Sequence, residues 1–337
     1  TPADFLQNAK PEFLNQTSTN YQGAHSQVWD FRQESNFRNY VQLTHSHIRH
    51  YGRPDMFHMI GLAERQFGSD EENLQLKLYT YRRFIFYLRQ HWPYAPILLA
   101  SWDFMFRWQS DQVGKLLAEL DPQNTIILDY TCDSGFRKNN YLTWKLPGNF
   151  PWIFGIFQGL QPHNDLSFDL PQCHRQLADL RNDSQCQGIV LWSESSHNNP
   201  YLLECISHFG KSGKILSLQE FCQYRYHPDL AAAMLNLWQG AEANFRLNAW
   251  VFDKERPVHG IFRCHFNLLG VLASLENRQT PEILEAEYQR ILQTPPLPDD
   301  FFPRIATLLG QLQTTSDEKV LRDLFDFCRT ALSNLIG

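Results

Sequence analysis

The sequence predicts an α/β fold over residues 1–214, followed by an all-α domain over 215–337, and three observations carry that prediction. Short apolar runs recur at MFHMIGLAE (56–64), PILLASW (96–102), TIILDYTCD (125–133), PWIFGIFQG (151–159) and GIVLWSES (188–195). Longer stretches with apolar residues at helical spacing separate the early runs, and strand, helix, strand at this interval means parallel strands joined by crossover helices. From about 215 the strand-like runs stop and helix-start signals take over.

Between the first two runs, Glu72 to Gln90 carries Leu74, Leu78, Tyr81, Ile85 and Leu88, a stripe on one helical face. Asp111 to Leu120 repeats the pattern with Val113, Leu116, Leu117 and Leu120, and Asp111 is placed to cap it. A weaker strand candidate spans His25 to Phe31. In the second half, Ser217-Leu-Gln-Glu220 reads as a capping box and Pro228 restarts a helix. Thr280-Pro281-Glu282 and Ser316-Asp317-Glu318 read as two further helix starts, with TPPLPDD (294–300) as the main loop.

The chain has 337 residues, enough for a sizeable core, and its net charge of −6 without any basic run argues against nucleic acid or an anionic membrane surface as partner. No apolar stretch approaches the ~18 residues a membrane span needs. The seven cysteines form no CxxC pair and read as reduced thiols. The aromatic fraction of 14% suits either a bulky core or a site that stacks the flat faces of sugars. The N-terminus lacks Met and the pattern of a signal peptide, which leaves localisation open.

Four of the five runs end in polar or sugar-stacking groups: Glu64, Trp102, Asp133 and Glu194. In a sheet or barrel of parallel strands the carboxyl ends open on one face, and that face carries the chemistry. Acids distant in sequence therefore converge there. Two carboxylates facing across a pocket are what glycoside hydrolysis needs, one to protonate the departing oxygen and one to attack or stabilise the anomeric carbon. Glu64 and Glu194 are the expected pair, because each directly ends an apolar run. A strand-ending Glu also serves as a rim ion pair or helix cap, so the pair, with Trp102 and Trp192 beside it, makes the argument.

The order of these motifs resembles the α-N-acetylglucosaminidases of glycoside hydrolase family 89. GLAERQFGSDEENLQLKLY, LLASWDFMF, IILDYTCDS, FPWIFGIFQG and SESSHNN follow the family's sequence of strand-end motifs across roughly residues 20 to 230. The resemblance implies a (β/α)8 TIM-type barrel, of which this chain holds the C-terminal part, followed by the helical domain. It implies that Glu64 is the acid/base and Glu194 the nucleophile, that Trp102, Asp133, Trp152 and Asn199 line the substrate site, and that Asp129, like Asp133, matches an acid of the central strand. It further implies removal of terminal α-linked N-acetylglucosamine with retention and no cofactor. Five strands do not close an eight-stranded barrel. An N-terminal segment of a longer protein, or a second chain, is thus expected to supply the rest. The chain departs from the family at Ala63, Ser101, Ser193 and Ser195. Those changes leave open another sugar specificity or a non-catalytic carbohydrate-binding chain.

Both tryptophans, 102 and 152, are suited to stacking on sugar or to filling the barrel, and Asn199 to binding substrate or to capping the helix at Pro200. His45, His47 and His50 do not share one helical face, so no metal is expected. FGKSGK (209–214) lacks the spacer of a phosphate loop and reads as a turn, Asn15 and Asn182 begin sequons of the kind that arise by chance, and Arg82-Arg83 reads as a solvated helix face.

Overall fold

The structure is a computed structural model. It describes residues 3–15, 18–19, 28–59, 61–62, 65–101, 110–129, 132, 140–156, 166, 170–192, 199–245, 296–312 and 317–336. The chain divides into two compact units, Thr1–Tyr130 with Asn140–Ile153, and Thr131–Asn139 with Phe154–Gly337.

In the first unit, α1 (Ala3–Ala9) leads to β1 (Ser18–Thr19), α2 (Glu34–Tyr51), β2 (Phe57–Met59), β3 (Arg65–Gln66) and α3 (Asp70–His91). Then follow β4 (Ile97–Ala100), α4 (Ser110–Leu117), β5 (Thr125–Asp129), the single turn α5 (Asn140–Thr143) and the start of β6 (Trp152–Ile156). β4 pairs in parallel with β2 on one side, Leu98 opposite His58, and with β5 on the other, Leu98 opposite Ile126. Beyond β5, Ile127 N–H donates to Pro151 O at 3.0 Å and brings β6 alongside. β4 and β5 are covered on both faces: Leu99 and Ile127, paired on one, have no exposure at all, and Ala100 and Leu128, paired on the other, are buried, while Leu98 and Ile126 are half-buried. That double burial explains why they read as continuous apolar runs rather than as alternating ones.

The helices of this unit form where the sequence places their signals. Ser69 caps α3 through a complete capping box with Glu72, and Leu74, Leu78, Tyr81 and Leu88 of the expected stripe are buried. α4 begins at Ser110, so Asp111 sits in its first turn, where its charge complements the helix dipole.

Two expectations change here. The strand candidate around residues 25–31 is, from Val28 on, an antiparallel bridge to the N-terminal segment: Leu14 N–H donates to Val28 O at 2.7 Å and Asp30 N–H to Glu12 O at 3.0 Å. Asn36, 1% exposed, locks that bridge by donating to both Glu12 O and Asp30 O. Arg83, expected on a solvated face, is largely covered: it lies 4.1 Å over the Phe37 ring, donates to Phe31 O at 2.7 Å and pairs with Glu34. Arg82 does remain outward and pairs with Glu119. The two arginines differ because they stand 100° apart on α3, and only one of those directions meets α2.

The second unit takes over β6 at Phe154 and adds α6 (Leu170–Leu180), β7 (Cys186–Leu191), α7 (Pro200–Ser212), α8 (Leu218–Arg225), α9 (Pro228–Phe245), α10 (Phe301–Gln311) and α11 (Glu318–Ile336). β7 lies next to β6, with Trp192 N–H donating to Ile156 O at 2.7 Å. Ser217 and Glu220 form the expected capping box of α8, and Pro228 does open α9. α11 is capped by Asp317, whose Oδ1 accepts from Lys319 and Val320 N–H. The FGKSGK stretch is the last turn of α7, ended by Gly213 in the left-handed conformation at φ +66°, which glycine adopts without a Cβ penalty. The helix start expected at Thr280 lies outside the described residues.

A cluster of aromatic residues builds the core of this unit. Tyr201, Phe221, Trp238 and Phe327 form a chain of ring contacts with centroids 5.1, 5.8 and 4.8 Å apart. Beside it, Arg225 donates to both oxygens of Asp323 at 2.7 and 2.9 Å. Tyr226 OH donates to Asp323 Oδ2 at 2.6 Å, and Trp238 Nε1–H donates to Tyr226 OH at 2.9 Å. This network ties α8, α9 and α11 together through the buried Asp323, Tyr226 and Trp238 and the largely covered Arg225. Among the described residues no helix is long and apolar enough to cross a membrane.

Candidate active site

Parallel pairing sends the carboxyl ends of β2, β4 and β5 to one edge of the first unit's sheet. Each is followed in sequence by an expected site residue: Glu64 after β2, Trp102 after β4 and Asp133 after β5. In the second unit Glu194 follows β7 in sequence, three residues after its last residue, Leu191. Glu64, Trp102, Asp133 and Glu194 themselves lie outside the described residues. What the structure does give is the framework on either side of them.

At the end of β4, Ser101 is fully buried and its N–H donates to Leu128 O at 2.7 Å, extending the ladder with β5 to the residue before Trp102. At the end of β5, Asp129 is 1% exposed, and its Oδ2 accepts from Tyr141 N–H at 2.9 Å. The central-strand acid therefore holds the start of α5, an N-cap role reached across twelve residues. Tyr141 in turn lies flat on Trp152, ring centroids 4.6 Å apart and planes 14° from parallel. Trp152 has no exposed surface. Its burial displays the interior-filling role of the two open to it, with Tyr141 covering one face of the ring.

Asn199 resolves in the same direction. Its Oδ1 accepts from Tyr201 N–H at 3.0 Å and Leu202 N–H at 3.2 Å, satisfying two donors at the start of α7, and the residue is 5% exposed. The side-chain oxygen is thus committed to the helix.

The segment around Glu64 is held from several sides. Arg65 N–H donates to Leu62 O at 3.4 Å, across residues 63 and 64. Arg65 and Gln66 form β3, which pairs antiparallel with β1. Phe67 N–H donates to the buried Asn73 Oδ1 at 3.1 Å, and Gln66 Nε2 donates to Asp70 Oδ1 at 2.8 Å. On the other side of Glu64, Gly61 touches α3 so closely that a Cβ there would fall 2.6 Å from Tyr81 Cζ. Neither Asn73 nor Tyr81 stands out in the sequence as a residue that holds this segment. A glycine shortly before a strand-ending acid is the one signal that points to them.

Groups that resemble other chemistry do not support it. Cys205 Sγ lies 3.6 Å from His174 Nε2. Burial pushes the thiol up to about 11 and pushes the His174 imidazole down, so the pair is neutral and holds no thiolate nucleophile. His45 contacts Tyr87 and Trp92, whereas His47 and His50 pack on Tyr51. Among the described residues no group of three His, Cys, Asp or Glu is arranged to hold a metal.

The chain was compared with known proteins. Residues 2–210 match the family model for the alpha-N-acetylglucosaminidase (NAGLU) tim-barrel domain. Two solved structures of a family 89 glycoside hydrolase from Clostridium perfringens share the fold. One is a variant with two glutamates changed to glutamine, in complex with its substrate GlcNAc-alpha-1,4-galactose, at TM-score 0.57 and 14% identity. The other is in complex with PUGNAc, at TM-score 0.56 and 13% identity. In both cases 99% of this chain aligns with 36% of the other, so the chain spans about a third of the length of those structures. No curated protein matches it. The parallel sheet with crossover helices, the acids following its strands and a family match over more than half of the chain lead to one conclusion: this chain belongs to the alpha-N-acetylglucosaminidase (NAGLU) family.

Proposed function

We propose that the chain contributes the catalytic carboxylates of a retaining glycosidase that removes terminal α-linked N-acetylglucosamine from glycans. In an α-linked sugar the 2-acetamido group lies on the same side as the leaving oxygen, so it is not placed to attack from behind. An enzymic nucleophile is then required, and Glu194 takes that role. Glu64 protonates the leaving oxygen in the first step and deprotonates water in the second. The observation that carries this reading is that both glutamates fall within the stretch that matches the family's barrel model, Glu64 following the strand Phe57–Met59 in sequence and Glu194 the strand Cys186–Leu191. A relative that holds its GlcNAc-alpha-1,4-galactose substrate in a form with two Glu→Gln changes supports it.

The reading has a partner and a boundary. Among the described residues β2 is the last strand of its sheet, paired to β4 alone. We propose that further barrel strands, from an N-terminal segment of a longer polypeptide or from a second chain, continue the sheet at that edge. The family match ends at residue 210, which supports a boundary near 214 between the barrel portion and a helical domain.

The test is hydrolysis of p-nitrophenyl α-N-acetylglucosaminide by the intact protein, with the first-formed anomer read by NMR. The expected result is release of the α-anomer, abolished by Glu64→Gln and by Glu194→Gln. Release of the β-anomer would overturn the retaining mechanism. Turnover of other glycosides alone would point to another sugar, and sugar binding without any turnover to a non-catalytic carbohydrate-binding chain.

A further inference from the structure

Phe57 and Met59 of β2 stand opposite Ile97 and Leu99 of β4, yet this row is covered unequally. Ile97 is 1% exposed and Leu99 not at all, whereas Phe57 and Met59 are only half-buried. Those two line a cavity of about 210 Å³ together with Val41 of α2 and Phe84 of α3, and among the described residues none of β4 borders it. Thr44 and Thr80, also on its wall, donate to carbonyls of their own helices, Tyr40 O at 3.2 Å and Leu76 O at 2.9 Å. An apolar cavity of ~150 Å³ holds a benzene ring, so this one has room for a large apolar side chain. The backbone beside it is turned outward as well. Phe57 N–H donates to Pro96 O at 3.0 Å, toward β4, and the alternation along a strand then directs the N–H and C=O of His58 to the opposite edge.

The order of elements indicates what belongs at that edge. β2 reaches β4 through α3, and β4 reaches β5 through α4, each helix returning the chain to a parallel neighbour. α2 enters β2 in the same way, across residues 52–56, and walls the cavity. A crossover helix packs over the two strands it joins, with a fixed hand, so the strand that α2 returns from is the outer neighbour of β2. The described elements ahead of α2 are α1, β1 and the bridge between Phe13 and Trp29, and none of them pairs with β2.

We infer that the cavity is a socket for a strand that precedes α2 in the same polypeptide. That strand is extended, parallel to β2 and apolar at alternate positions. One of its side chains enters between Met59, Val41 and Phe84, while its backbone pairs with His58. Main-chain pairing of this kind supplies affinity, and a pocket for alternate side chains supplies the register. The inference rests on the proposal above that further barrel strands continue the sheet at this edge. It adds the source of the adjoining strand and the pocket that selects it.

The test uses the intact protein with photo-methionine in place of methionine, isotope-labelled and unlabelled chains being mixed to tell links within a chain from links between chains. Irradiation is expected to join Met59 to an apolar residue of a segment ahead of α2 in the same chain. The His58 amide, read by hydrogen exchange with electron-transfer fragmentation, is expected to exchange about a hundredfold or more slower than in the unfolded chain. Val41→Trp, which fills the cavity from α2, is expected to abolish the link and to speed exchange at His58 at least about tenfold. A link from Met59 to a second chain, or to α2 and α3 alone, would overturn the inference. If His58 keeps its protection in Val41→Trp, a strand pairs there without using the cavity, and the inference fails while the continued sheet stands. If His58 exchanges in the parent as it does in the unfolded chain, no strand adjoins β2, and both fail together. Where Val41→Trp does not fold, the link from Met59 and the exchange at His58 in the parent decide.

Discussion

Replacing Asn199 with alanine removes the one side-chain oxygen that accepts from both Tyr201 and Leu202 N–H at the head of α7. At 5% exposure water has little access to take its place, so both donors are left without it. Cap deletions cost about 0.5–2 kcal/mol, and burial puts this one at the upper end, near ~2 kcal/mol. With a urea m-value of about 2 kcal/mol/M, the unfolding midpoint falls by about 1 M. Asn199→Ser supplies an alternative acceptor and is expected to recover most of that loss. The same two variants, assayed on an α-N-acetylglucosaminide well below the midpoint, are expected to keep KM within about twofold, because the oxygen faces the helix rather than the substrate. A midpoint shift below about 0.3 M together with a tenfold rise in KM for both variants would refute the reasoning and return Asn199 to the substrate site.

Further outcomes follow from the same structure. Asp323→Ala leaves the Arg225 guanidinium, 13% exposed, without its carboxylate and is expected to destabilise the helical part by about 3–5 kcal/mol in urea denaturation. Arg225→Met combined with Asp323→Leu should recover a large share of that, and additive losses would contradict the pairing. Asp30 is held below the usual carboxylate range, first by side-chain hydrogen bonds from Arg32. A depressed acid stabilises the fold above its unfolded pKa and loses that stabilisation as pH falls through its folded value. Unfolding followed below about pH 4 should therefore be less steep in pH for Asp30→Asn than for the parent. Burial pushes the Cys205 thiol up to about 11 and Cys222 up to about 12, so neither should react with a thiol reagent at pH 8 in the folded protein. Labelling either as fast as in the unfolded chain would contradict their burial.

The strand cores were legible because β4 and β5 are buried on both faces and so read as unbroken apolar runs. Their ends were legible because a polar residue follows each one. Ser217-Leu-Gln-Glu220 was legible because a capping box lies within four residues of sequence. Contacts that cross the chain were not. Nothing near Arg83 in sequence reveals that Phe37 and Phe31 O wait for it on α2 and the segment before it, and nothing near Lys77 reveals that α3 turns it inward. β2 was expected over nine residues and, among the described residues, is a strand over Phe57–Met59. Past it, Gly61 lies close against Tyr81 of α3, a contact that nothing near it in sequence reveals. Asn199 and Trp152 show the same limit from the other side: residue type left sugar contact and a structural role both open, and only the structure displays the cap that one makes and the packing of the other.

The central claim, that Glu194 is the nucleophile of a retaining mechanism, is tested most directly by covalent trapping. A 5-fluoro N-acetylglucosaminyl fluoride slows both steps through its ring fluorine, and its good leaving group lets the glycosyl-enzyme accumulate. After proteolysis of the intact labelled protein, peptide mass spectrometry should place one sugar on Glu194 and none on Glu64. A label on another carboxylate, or hydrolysis of the reagent with no adduct and inverted product, would contradict the account.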